Sequence, residues 1–130
     1  VKHMKPIISI VYSEMHVLQS LDRMFIEAGF ITHPYYSPEE ALNWAPIRKP
    51  NLYLINYKNI HMNGVEFYKK LNEMADHYVL NLRAVFISSK EETKQECLDA
   101  GGLDFIDVPF EPVEVIKRIR KVLEDSKKLH

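Results

Sequence analysis

Ile7-Ile8-Ser9-Ile10-Val11, set off by Pro6, is a short β-branched run, and a longer stretch of different period follows it directly. From Met15 to Ala28 the apolar residues Val17, Leu18, Leu21, Met24, Phe25 and Ala28 recur at helical spacing. The first run predicts a buried strand and the second an amphipathic helix. Gly29 stands where a helix ends on a left-handed residue. One strand followed by one helix is the unit that the rest of the chain repeats.

Phe30 to His33 predicts a second strand, stopped by Pro34. Ser37-Pro38-Glu39-Glu40 is a helix start, with Ser at the N-cap, Pro at the first helical position and Glu at the third. That helix is expected to reach about Ala45, closed by Pro46. Asn51 to Asn56 reads as a third strand, followed by a polar loop, Tyr57 to Met62. Asn63-Gly64 leads into a helix with Phe67, Leu71, Met74 and Ala75 on one side. Leu82 to Ser88 is a fourth strand, Lys90 to Ala100 a polar helix ended by Gly101-Gly102, and Leu103 to Asp107 a fifth strand. Val113 to Leu123 is the last helix. Five strands alternating with five helices predict a parallel sheet with helices on both faces and right-handed crossovers. In such sheets ligands bind at the carboxyl ends of the strands. Tyr12, Ser13, Glu14, residues 56–58, Ser88, Ser89, Val108 and Pro109 stand at those ends.

Length and composition bound the function. The 130 residues make one domain, expected over residues 4–126, with Val1-Lys2-His3 ahead of Met4 read as a vector-derived remnant. Hydrophobic residues are 46% and charged residues 27%, enough apolar surface to offset chain entropy. Seventeen basic and 18 acidic residues leave a net charge of −1, so no domain-wide field attracts nucleic acid or an anionic membrane. No apolar run approaches the ~20 residues of a membrane span. The single cysteine, Cys97, excludes an internal disulfide or a cysteine-based zinc site and fits a reducing compartment, so a cytoplasmic domain is expected. Cys97 is expected to be part-buried and inert. His16, His33, His61 and His77 show no metal-ligand spacing. No metal and no cofactor are expected.

Three segments carry a resemblance. Residues 50–56 (PNLYLIN), 63–66 (NGVE) and 100–110 (AGGLDFIDVPF) resemble, at matching separations, the characteristic segments of the receiver domain of two-component response regulators. The likeness covers nearly all of Lys5 to Glu124. It implies a flavodoxin-like, doubly wound, five-stranded parallel sheet of order 2-1-3-4-5 with five helices. It also implies a phosphoryl-accepting Asp after strand 3, a magnesium ion held there and by an acidic pair after strand 1, a Ser or Thr after strand 4 and a Lys after strand 5. Mg²⁺ prefers several anionic oxygens, the nucleophile must be a carboxylate, and the phosphoryl charge needs a cation and donors. Here the acidic pair is Tyr12 and Ser13, the acceptor position is Asn56, and the lysine position is Val108. Ser88 alone keeps a suitable group. The expectation is a pseudo-receiver, without a magnesium site or phosphorylation chemistry.

Tyr12 has two open readings: its ring fills the former metal pocket with its hydroxyl toward Asn56, or it points to solvent. Asn56 reads as a neutral strand-end residue that relieves like-charge repulsion. Phe105, at the switch-aromatic position, is expected in a fixed core rotamer, and Val108-Pro109 in cis by analogy. Lys117, Arg118, Arg120 and Lys121 read as a solvated face, with docking of an acidic partner as the second reading. The resemblance implies an interaction face on helix 4, strand 5 and helix 5, carrying Lys90, Lys94, Lys117, Arg118 and Lys121. Its partner would be a second copy, a histidine kinase or an effector domain. The leading function is a phosphorylation-independent signalling module, not an enzyme. The alternatives are a phosphoryl-accepting receiver with an unusual site, or the N-terminal domain of a longer transcriptional regulator. A small-molecule flavodoxin-like domain would need a glycine-rich loop after strand 1, and residues 12–16 hold no glycine.

Overall fold

A computed structural model describes residues 4–78, 82–89 and 91–128. Val1, Lys2, His3, Lys90 of the expected interaction face and the side chain of His77 lie outside the described residues. In chain order the elements are β1 (Ile7–Val11), α1 (Met15–Glu27), β2 (Ile31–Tyr35), α2 (Pro38–Trp44), β3 (Leu52–Asn56) and α3 (Gly64–Tyr78). Then come β4 (Ala84–Ser88), a 3-10 turn (Glu91–Thr93), α4 (Lys94–Asp99), β5 (Asp104–Asp107) and α5 (Pro112–Lys128). The five strands pair in parallel in the order β2-β1-β3-β4-β5, the expected doubly wound sheet.

Strand alternation divides the core into two layers. Ile8, Ile10, Leu52, Leu54, Val85, Ile87 and Ile106 face α1 and α5, where Leu21, Phe25, Val115 and Ile119 meet them. Val11, Tyr53, Ile55, Ala84, Phe86 and Phe105 face α2, α3 and α4, where Ala41, Phe67, Leu71 and Cys97 meet them. Strands apolar on both faces are buried on both sides, as a parallel sheet requires.

Local signals work as expected at several joints. Gly29 takes φ +96° after α1. The Ser37 hydroxyl accepts from the Glu40 N–H at 3.2 Å and caps α2. Asn63 and Glu66 form a reciprocal capping box at the start of α3, with bonds of 2.8 and 2.9 Å.

Three boundaries and one burial differ from expectation. Pro34 lies inside β2, opposite Ile10, and does not stop it. β2 is an edge strand, where a proline whose nitrogen faces outward removes no ladder donor. The stretch Lys90–Ala100 is not one helix but a 3-10 turn and a six-residue α4. Its first turn is anchored by Thr93, which is buried and donates to the Ser88 hydroxyl at 3.0 Å. α5 runs from Pro112 to Lys128, beyond Leu123. The apolar stripe ends there, but no Gly or Pro stops the helix. Cys97 is fully buried rather than part-buried, and burial pushes its thiol up to about 12. Phe105 is buried in the α3-side core, and the Val108-Pro109 bond is cis.

Candidate functional site

The crossovers bring the carboxyl ends of β1, β3, β4 and β5 together. Tyr12, Ser13, Asn56, Ser88 and Val108, scattered across 97 positions of sequence, all line one cavity of about 650 Å³ there. The fold therefore assembles the whole predicted set. What it assembles is almost neutral: the charged side chains lining the cavity are Glu14 and Lys58.

Tyr12 follows β1. Its ring is buried, 7% exposed, and belongs to the core on the α1 and α5 side, so the solvent-facing reading fails. Burial, and then the Glu14 charge, raise its phenol above the ordinary range. Among the described residues no hydrogen bond joins its hydroxyl to Asn56, whose Nδ2 donates to the Lys58 carbonyl at 2.9 Å. Val108 donates its N–H to the Ser88 carbonyl at 3.2 Å and lays its side chain against the same core.

Glu14 is the one carboxylate on the cavity, and it is occupied. Its Oε2 accepts from the Val17 N–H at 2.7 Å and caps α1. A cation of the Mg²⁺ class prefers anionic oxygens in near-octahedral array. One exposed, capping carboxylate beside an amide and a hydroxyl does not fit such a cation. Among the described residues no three His, Cys, Asp or Glu side chains are grouped to hold a metal.

Ser13 has a role that its sequence position did not reveal. Its hydroxyl donates to the Tyr36 carbonyl at 2.7 Å and accepts from the Ile60 N–H at 3.0 Å. Its own N–H donates to Asn59 Oδ1 at 2.9 Å, and Asn59 Nδ2 donates to the Asn56 carbonyl at 2.6 Å. Sequence reading missed Asn59. An Asn in a polar loop signals a turn, but its partner lies 46 residues away. Tyr57 was placed at the strand ends by sequence, but its partner was not: its hydroxyl donates to Glu96 Oε1 on α4 at 2.9 Å. That bond first, and then desolvation, push the Tyr57 phenol up to about 12. In the same loop His61 adopts φ 71°, and its Nδ1 lies 3.2 Å from Glu39 Oε2 on α2.

The expected interaction face needs a correction. Lys94, Lys117 and Lys121 are exposed. Arg118 is not a free cation: Nε and Nη2 reach Asp104 at 2.8 and 2.6 Å, and Nη2 also donates to the Phe105 carbonyl. Arg120 likewise donates to the Ala28 carbonyl at 2.8 Å, tying α5 to the end of α1. Aliphatic stems carry both guanidiniums across the helix surface to fixed acceptors.

A doubly wound parallel sheet of this order, with a cavity at the carboxyl ends of its strands, defines a flavodoxin-like α/β domain. The family model for the response regulator receiver domain matches residues 8–120, and the chain belongs to that family. The module is thus the receiver domain of two-component response regulators, a family that works by contact with kinases and effector domains. The cyclic di-GMP phosphodiesterase response regulator RpfG of Xanthomonas campestris is 28% identical over 71% of this chain and 24% of its own length. The transcriptional regulatory protein FixJ of Rhizobium meliloti is 28% identical over 90% of the chain and 56% of its own. The chain thus spans about half or less of these curated relatives. A crystal structure of a CheY-like receiver domain protein from Methanospirillum hungatei superposes with TM-score 0.86 at 20% identity, covering 98% of this chain and 100% of that one. No helix among the described residues is long and apolar enough to cross a membrane.

Proposed function

We propose that this domain is a pseudo-receiver: a signalling module that acts through protein contact without being phosphorylated. One observation carries the reading. Tyr12, Ser13, Asn56 and Val108 converge on the cavity where phosphoryl chemistry would need carboxylates and a lysine. An amide carries no nucleophilic oxygen comparable to a carboxylate, and Val108 brings no charge to a phosphoryl group. Incubation with acetyl phosphate and Mg²⁺, followed by intact-mass measurement, tests this. No mass gain is expected. A gain of one phosphoryl group that hydroxylamine removes would overturn the reading, since that lability marks an acyl phosphate.

Contact is assigned to α4, β5 and α5, with a second copy, a histidine kinase or an effector domain as the partner. A groove on this face is lined by Asp104, Glu114, Lys117, Arg118, Lys121 and Asp125, so both signs of charge meet in one surface. With Arg118 held by Asp104, the cations of this face left for a partner among the described residues are Lys94, Lys117 and Lys121. RpfG and FixJ extend well beyond the matched part, which supports an effector domain as the natural recipient.

A further inference from the structure

Four hydrogen bonds stitch three loops together at the carboxyl end of the sheet. Ser13, between β1 and α1, is their hub. Its hydroxyl reaches the Tyr36 carbonyl between β2 and α2, and receives the Ile60 N–H between β3 and α3. Its N–H meets Asn59, which returns to the Asn56 carbonyl at the end of β3. Every group in this set is neutral, and the Ser13 hydroxyl uses its one donor and one of its two lone pairs. On its other side the β3–α3 loop is fastened to α4, because Tyr57 donates to Glu96 and Asn63 Nδ2 lies 3.5 Å from the Tyr57 hydroxyl.

We propose that Ser13 and Asn59 form a neutral clip that holds the loop end in one arrangement where a cation would otherwise have to bridge the loops. Tyr57 and Glu96 transmit that arrangement to α4, the helix assigned to partner contact. The inference rests on the reading of this site as not phosphorylated, and it adds what sets the conformation instead. Removing the Ser13 hydroxyl takes one hydrogen bond from each of two loops at once and leaves the clip only the Ser13 N–H bond to Asn59. Uncharged groups make such a clip insensitive to divalent cations and to moderate salt, unlike an ion-mediated bridge.

Amide hydrogen exchange on the whole chain, read residue by residue by NMR, tests the clip. The Ile60 amide is protected in the parent protein and exchanges about three- to tenfold faster in Ser13→Ala, the change expected for losing one net hydrogen bond. Ser13→Ala also shifts the amide resonances of α4, and adding Tyr57→Phe abolishes that shift. Magnesium chloride leaves all these rates unchanged. Should Ser13→Ala not fold, Asn59→Ala reports on the same clip through faster exchange of the Ser13 amide. An unprotected Ile60 amide in the parent, no change in either variant, or slowing by Mg²⁺ would each overturn the clip. Phosphoryl uptake from acetyl phosphate would instead overturn the reading it rests on, and the exchange result would stand apart from it.

Discussion

Tyr57 shows what a single side chain adds at the loop end. Its phenol donates to the Glu96 carboxylate, so the neutral form is the one that the fold favours. The folded pKa is about 12 against an ordinary 10.0. A group whose pKa rises on folding stabilises the fold fully below its unfolded value and loses that contribution as pH climbs through the folded one. The bond between the loop and α4 is therefore intact at neutral pH and is lost between about pH 10 and 12. A difference ultraviolet titration between the parent and Tyr57→Phe should isolate this phenol from the other six of the seven tyrosines. In Glu96→Ala its midpoint is expected to fall back toward 10.0. A midpoint unmoved by that substitution would mean that the two groups do not meet in solution.

At the scale of elements, the β3–α3 junction is the tightest joint near the site. A Cβ at Gly64 would lie 2.6 Å from the Asn56 carbonyl oxygen and 2.9 Å from Ile55 Cγ2. The Gly64 N–H also donates to the Tyr57 carbonyl at 2.7 Å, which holds the helix start against the strand end. Backbone cannot yield as a flexible side chain can, so Gly64→Ala is expected to destabilise by ~1–3 kcal/mol, the range for overpacking. Urea unfolding should show a lower midpoint with an unchanged slope. A variant as stable as the parent would show that the helix start can slide along the sheet. The same close approach explains why α3 begins directly beside Asn56, with the loop of residues 57–63 pressed over the cavity.

For the whole molecule, the distribution of charge matters more than its sum. The net charge of −1 gives no long-range field, yet Lys117 and Lys121 line one groove with Glu114 and Asp125, and Lys94 is exposed on α4. Exposed pairs of this kind are worth only ~0.2–1 kcal/mol each. Association through the proposed face is therefore expected to be modest, and Lys94→Glu with Lys121→Glu should weaken it about three- to tenfold at low salt. Near 1 M salt, where the screening length falls to ~3 Å, parent and variant should sediment alike. Arg118→Glu is the wrong probe, since it would break the bidentate contact with Asp104 and disturb β5 itself. Association that ignores both salt and these lysines would move the interface elsewhere, to the loop end around Asn56.

The alternation of apolar strands with helical stripes, read residue by residue, was sufficient for a parallel sheet covered on both faces and for the positions at the carboxyl ends of its strands; the strand order came from the resemblance to the receiver family. The parallel sheet and its strand ends depend on local periodicity and on crossover handedness, which short segments encode. Asn56 and Val108 were legible as departures because they stand inside patterned segments whose spacing is intact. Two of the three differing boundaries were not legible, for reasons outside the local sequence. Pro34 is tolerated because β2 has a neighbour on one side only, and α4 is short because Thr93 turns inward to Ser88. Tertiary structure alone decided that Tyr12 is buried, that Glu14 is consumed in capping α1, and that Arg118 belongs to Asp104. It alone joined Ser13 to Asn59 and Tyr57 to Glu96, partners 46 and 39 residues apart. A hydrogen bond needs its two atoms within about 3 Å, and only the closed sheet brings residues so distant in sequence to that separation.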